Sequence, residues 1–187
     1  MNLFFLSVFP EECAKFHCDK HIVKMILETA QILYTTHHQL QKGEDWINTT
    51  PKKPYKQTHV NHPVTLWARQ CPANYLFTSM LGLSLCKEYT FRYRRIHASQ
   101  IHMEWLGANM PPFEDSLQFV PMTPPAPACP EECKIQDDPI KTYRNYYRTH
   151  KEDLLQYTLR TPPEFLSDIA LHKEPSGVIL RREPILV

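Results

Sequence analysis

Residues 11–39, EECAKFHCDKHIVKMILETAQILYTTHHQ, decide how the rest of the chain is read. Apolar residues recur at three- and four-residue intervals, two glutamates open the run, and neither proline nor glycine interrupts it. That pattern predicts one long helix over 11–39, with its acids at the end where the helix dipole favours them. At 100° per residue, His17, His21, Lys24, Glu28, Gln31 and Thr35 fall on one narrow polar line. Phe16, Leu27 and Tyr34 flank it on one side and Met25 and Ile32 on the other. Val23, Ile26, Ala30 and Leu33 cover the far side, so the helix reads as buried on most sides. A polar line walled by apolar residues needs partners, because each unpaired buried polar group costs about 1–3 kcal/mol. Those partners are either other protein groups in a packing network or a ligand.

Working outward from this helix, Leu3–Val8 is a short apolar run ended by Pro10, which predicts a short N-terminal strand or extended segment. No basic stretch precedes it, so a signal peptide is not expected, and no run approaches the roughly 20 apolar residues that span a bilayer. Asn61-His62-Pro63 opens a second helix. Pro72 breaks it before a further run from Ala73 to about His97. Residues 107–139 hold eight prolines and no periodicity, which predicts a long loop. Asp138-Pro139 then caps and starts a helix to about Tyr157, and Thr161-Pro162 starts a shorter one to about Leu171. The tail from Pro175 to Val187 reads as an extended strand or wrapping segment.

The fold expected is therefore mostly α: a single compact helical domain with a short N-terminal strand, a Pro-rich loop and an extended C-terminal tail. Its parts are a helical body at 1–106, the acidic loop at 107–139, and C-terminal helices and tail at 140–187. A chain of 187 residues with 17 prolines and only 4 glycines suits helices joined by stiff connectors. Six dispersed cysteines in a chain of this size are expected as reduced thiols, and the expected location is intracellular, in the cytoplasm.

Net charge is +1, but unevenly spread. Residues 15–102 carry twelve Lys and Arg against five acids, a local excess of +7, together with eight histidines. Residues 103–140 carry seven acids against Lys134 alone, a local −6. A basic, His-rich body favours an anionic partner, with DNA or a nucleotide foremost, and no membrane. In the polar line, Glu28 is the candidate base, His17 and His21 are proton-transfer or orienting groups, and Lys24 holds a phosphate or forms an imine. Lys20, Lys56, His59, Asn61, His62, Arg69, Arg92, Tyr93, Tyr143, Arg144 and Tyr147 supply the cations, amides and rings that phosphates and bases bind. Glu88 and Arg92 can equally form a simple i,i+4 pair.

Metal readings are weaker. His17 and His21 have helical ligand spacing but HCDKH lacks the glutamate of HExxH, and Cys129-Pro-Glu-Glu-Cys133 has no second Cys/His pair nearby. No metal or cofactor is expected, and phosphate-loop, dinucleotide, esterase and calcium motifs are all missing from the sequence. A metal-dependent phosphohydrolase or nuclease using His17 and His21 is one alternative to a glycosylase. A viral protein that binds a nucleotide or nucleic acid without chemistry is another.

HCDKHIVKMILETAQ, followed by NHPVTLWARQ, EYTFRYRRIH and YRNYY, resembles a group of small proteins of large DNA phages and giant viruses for which no activity is assigned. It is similar, more weakly, to the phage pyrimidine-dimer DNA glycosylase/lyase of the endonuclease V type. That resemblance implies a compact helical DNA-repair enzyme that flips a nucleotide, with its catalytic glutamate seven residues after a histidine, as Glu28 follows His21. It also implies an amine nucleophile. Here Met1-Asn2 replaces the usual small exposed residue, so Met1, Lys24 or a water takes that role.

Overall fold

The computed structural model describes residues 1–169. The expected C-terminal tail, 175–187, and the end of the helix expected to reach Leu171 lie outside the described residues.

Among the described residues six α-helices build the body: α1 (Pro10–Phe16), α2 (Asp19–Leu40), α3 (Pro63–Ala68), α4 (Pro72–Tyr93), α5 (Gln100–Ala108) and α6 (Pro139–His150). Helix α4 is central, packing against α1, α2 and α5, while α3 leans on α2. Close approach of α2, α4 and α5 depends on Gly82. A side-chain carbon there would meet Thr29 Cγ2 at 2.9 Å and run into the Met103 methyl. One apolar core unites the N-terminal segment, all six helices and the 155–166 region.

The long helix expected at 11–39 is two helices. His17 and Cys18 are both extended, with ψ of 133° and 162°. Tertiary bonds outcompete helical continuity at this point. The His17 ring bonds the Cys13 carbonyl at 2.7 Å, and the Asp19 N–H donates to Gln156 O at 2.8 Å. The Asp19 carboxylate accepts bonds from Arg92 and Thr158. A helical wheel drawn across the break therefore loses phase, and His17 does not share a face with Glu28. Helix α2 is also less enclosed than expected, since Val23 and Leu27 are exposed beside Lys20 and Lys24.

The N-terminal strand is corrected too. Residues 3–7 are buried, but there is no β-strand among the described residues. Side chains satisfy this segment's backbone: the Cys13 thiol donates to Phe4 O at 3.2 Å and Arg144 Nε donates to Leu6 O at 2.9 Å.

Prolines punctuate the other elements much as read from sequence. Pro63 and Pro72 open α3 and α4, and the Asp138 carboxylate caps α6 by accepting from Lys141 N. Helix α4 stops at Tyr93, where Arg94 takes a left-handed conformation, and the chain re-enters a helix, α5, that the sequence reading missed. Helix α6 ends at His150 rather than near Tyr157, and the helix expected from Thr161 is one 3-10 turn, Glu164–Leu166.

The Pro-rich loop contains only the short 3-10 turns Asp115–Leu117 and Glu131–Cys133, yet it is tied down. Trp67 Nε1 donates to Thr123 O, and Asn74 bonds both the Thr123 backbone and its hydroxyl. All six cysteines are free thiols.

Candidate functional site

Glu28 is the point on which the N-terminal segment, α2 and the Pro-rich loop converge. Its side chain is 10% exposed. Oε2 accepts the Asn2 N–H at 2.7 Å and lies 3.9 Å from the Met1 amine, while Oε1 lies 3.2 Å from Lys24 Nζ. A nearly buried carboxylate thus faces two amines, one of them on a side chain that is 66% exposed and reaches in from solvent.

A closed hydrogen-bonded ring fixes this geometry. Asn2 Nδ2 donates to Ala128 O at 2.9 Å, Ala128 N donates to the Tyr143 hydroxyl at 3.0 Å, and that hydroxyl donates to Asn2 Oδ1 at 3.0 Å. The loop and α6 therefore aim the Asn2 N–H at Glu28. Behind Met1, the Thr65 hydroxyl of α3 meets its sulfur at 3.6 Å.

His62 and His59 border the same group. His62 Nδ1 accepts from Val64 N to cap α3, and its ring stands 6.4 Å from that of His59. Burial lowers the His62 pKa, and the charges of the terminal amine and His59 lower it further, against the opposing pull of Glu28. The loop carrying Lys56 and His59 is anchored to α2 where Thr58 N donates to Thr35 Oγ1 at 3.1 Å. Arg69 holds the loop's other end, donating to Val60 O at 2.7 Å. Lys20, Lys56 and Asn61 are exposed.

Several residues expected at the site are occupied elsewhere. Arg92 is buried in an ion network with Glu88 and Asp19, and the Tyr93 hydroxyl donates to Asp19 O. Arg144 bonds Leu6 O and lies over the Phe16 and Phe165 rings. Arg92 and Tyr93 tie α4 to the α1–α2 break and Arg144 holds the N-terminal segment, so the polar groups of these three are engaged away from Glu28.

His17 and His21 form a third group with Tyr147 and Phe4. His21 Nδ1 lies 2.5 Å from the Tyr147 hydroxyl, and its ring stacks on Phe4 with centroids 4.3 Å apart. Burial lowers the pKa of His17 to about 4 and of His21 to about 3, with neighbouring positive charge adding to both effects. The same burial pushes the Tyr147 hydroxyl well above its ordinary range. Both rings are therefore neutral near pH 7, and His21 is suited to orienting Tyr147 and Phe4.

This burial has a measurable consequence. The unfolded chain binds protons at these histidines near pH 6.5, whereas the folded chain refuses them until about pH 4 for His17 and about pH 3 for His21. The unfolded state binds more protons across that window, so stability falls as pH drops below about 6.5. Urea unfolding at pH 7, 6, 5 and 4 should give a steadily falling midpoint. His17→Phe should flatten the slope by up to about 1.4 kcal/mol per pH unit, and an unchanged slope would refute the assignment.

Among the described residues, no three His, Cys, Asp or Glu side chains are grouped to hold a metal ion. No helix among them is long and apolar enough to cross a membrane. Comparison with known proteins found no matching family, no matching curated sequence and no matching solved structure. The sequence reading included Glu28 and Lys24 but passed over Asn2 as a functional residue. The signal available was a polar residue opening a run that is otherwise wholly apolar through Leu6.

Proposed function

We propose that this chain is a nucleic-acid- or nucleotide-processing enzyme that breaks an N-glycosidic bond, with Glu28 as its base. The observation supporting this reading is the enclosed carboxylate flanked by amines at 3.2 and 3.9 Å. A carboxylate held beside an amine is the pair that such a reaction needs. The amine attacks the sugar C1′ and the base departs, while the carboxylate takes the proton that the attacking nitrogen sheds. The sugar ring then opens to an imine on the same nitrogen. If water attacks instead, Glu28 takes the water proton and the product is a free sugar hydroxyl. Exposed Lys20 and Lys56 supply positive charge for a phosphate backbone.

The test is borohydride trapping on duplexes carrying uracil, alkylated bases or ultraviolet dimers. Reduction converts the imine to a stable secondary amine, and peptide mass spectrometry should map the adduct to Met1 or Lys24. Base release without an adduct assigns water as the nucleophile. Substrates returned unchanged from the whole panel, although bound, would replace this reading with a binding protein.

A further inference from the structure

A second group of reactive side chains lies where the Pro-rich loop meets the end of α6. The 3-10 turn Glu131–Cys133 is held to that helix by Asn145 Nδ2, which donates to Cys133 O at 3.1 Å, and by Ile135 N, which donates to Thr142 Oγ1. This clamp places the Cys133 sulfur 3.3 Å from His150 Nδ1. On the ring's other side, His150 Nε2 lies 3.3 Å from Glu132 Oε1. Thiol, imidazole and carboxylate therefore stand in line, the order in which a base takes a proton from a nucleophile and a third group holds the base.

The hydrogen inventory fits that order. The Thr149 hydroxyl donates to Asn145 O at 2.9 Å, so towards His150 Nδ1, 2.8 Å away, it presents a lone pair. Nδ1 thus faces the Thr149 oxygen and the Cys133 sulfur, while Nε2 faces a carboxylate. The Cys133 sulfur also lies 3.6 Å from the Thr149 oxygen, so the imidazole and the hydroxyl both stand against the thiol. The two ring nitrogens serve different partners, and no metal-holding group of three occurs among the described residues. The arrangement is accordingly a thiol site and not a zinc site.

We propose that Cys133, His150 and Glu132 form a nucleophilic thiol site, separate from the Glu28 group, that takes a small disulfide-bearing molecule as a mixed disulfide. His150 takes the Cys133 proton, and the thiolate attacks one sulfur of the incoming disulfide. The S–S bond of that molecule breaks as the Cys133 S–S bond forms. The departing thiolate leaves as a thiol with the proton from His150, so Cys133 is oxidised as the small disulfide is reduced. Cys133 itself is only 1% exposed. His150 and Thr149, which cover it, are exposed surface residues, and such side chains change rotamer in picoseconds to nanoseconds. The other buried thiols lack such a partner. Burial pushes the Cys13 thiol up to about 11 and the Cys86 thiol up to about 12.

The test uses the full chain with dithiobis-nitrobenzoate as the small disulfide, following thiol release by absorbance and mapping the label by peptide mass spectrometry. Cys133 should be labelled first, ahead of the more exposed Cys129. His150→Gln should slow it about tenfold at pH 6 and much less at pH 8.5, where thiols ionise without help. Glu132→Gln should slow it a few-fold at pH 6. Labelling of Cys129 before Cys133, or an equal effect of His150→Gln at both pH values, would overturn the proposal. Faster labelling in His150→Gln would also overturn it, since the imidazole would then be a cover and not a base. A thermal melt of each variant separates these outcomes from misfolding.

Discussion

Replacing Arg92 with Met should lower the unfolding free energy by about 3–5 kcal/mol, the scale for breaking a buried ion pair by removing one partner. Arg92 has a fully buried side chain. Its Nε donates to Glu88 Oε1 at 2.7 Å, Nη1 to Asp19 Oδ1 at 2.9 Å, and Nη2 to Lys15 O at 3.0 Å. One guanidinium thus ties the end of α4 to both sides of the α1–α2 break. A methionine of similar length fills the volume but leaves Glu88, Asp19 and the Lys15 carbonyl short of donors in a closed space. Arg160 also binds Glu88, at 2.9 and 2.8 Å, but its side chain is 30% exposed, so Arg160→Met should cost about 1 kcal/mol or less. The double variant Arg92→Met, Glu88→Gln should recover part of the loss, because the stranded charge disappears with it. A loss below about 1 kcal/mol in Arg92→Met would mean that packing, and not the ion network, closes this corner.

The network also sets a pH limit. Burial alone would raise the Glu88 pKa, but the hydrogen bonds and charges of Arg160 and Arg92 outweigh it and hold the carboxyl below its ordinary 4.5. A depressed carboxyl contributes stability that is present above the unfolded pKa and lost as pH falls through the folded one. Its loss therefore begins below about pH 4.5, under the window in which His17 and His21 act from 6.5 downward. Stability should fall in two overlapping stages on acidification, and Arg92→Met should remove much of the lower stage.

The helices were legible where proline and periodicity agree: Pro63, Pro72 and Pro139 each stand at the first position of a helix. The break at His17-Cys18 was not legible, because nothing local forbids helix there. It is imposed by Arg92, Gln156 and Thr158, which lie 70 or more residues away in sequence. Losing that phase took His17 off the line of Glu28, although it still joins His21 against Phe4 and Tyr147. Spacing within α2 was safe, so Lys24 and Glu28 were found together as i,i+4 neighbours. Arg92 and Arg144 look like any other exposed cations in sequence. Only the fold reveals that a guanidinium with five donors is being used to bind carbonyls and carboxylates between helices. Asn2 was passed over as a functional residue because the bond that reaches Glu28 comes from its backbone N–H, which no residue type advertises.

Glu28→Gln should reduce turnover by about 10²–10⁴-fold, the range attributable to one positioned general base. The substitution suits the question because it preserves nearly everything else. The glutamine carbonyl oxygen can still accept the Asn2 N–H, and the side-chain volume is unchanged, so the ring through Ala128 and Tyr143 has no reason to open. What disappears is the charge facing the two amines and the ability to take a proton. Lys24 is largely exposed, and its ion pair with Glu28 contributes little net stability, so the thermal midpoint should stay within a few degrees. Lys20→Gln offers the contrast: on the proposed reading, loss of this one exposed cation should weaken nucleic-acid binding similarly for all sequences and reduce the salt slope by about one unit. A Glu28→Gln protein that melts normally and binds with an unaltered salt slope, yet releases no base, would locate the chemistry at this carboxylate. One that works within about threefold of the parent would strip Glu28 of its role, since so small a change lies far below what a general base contributes.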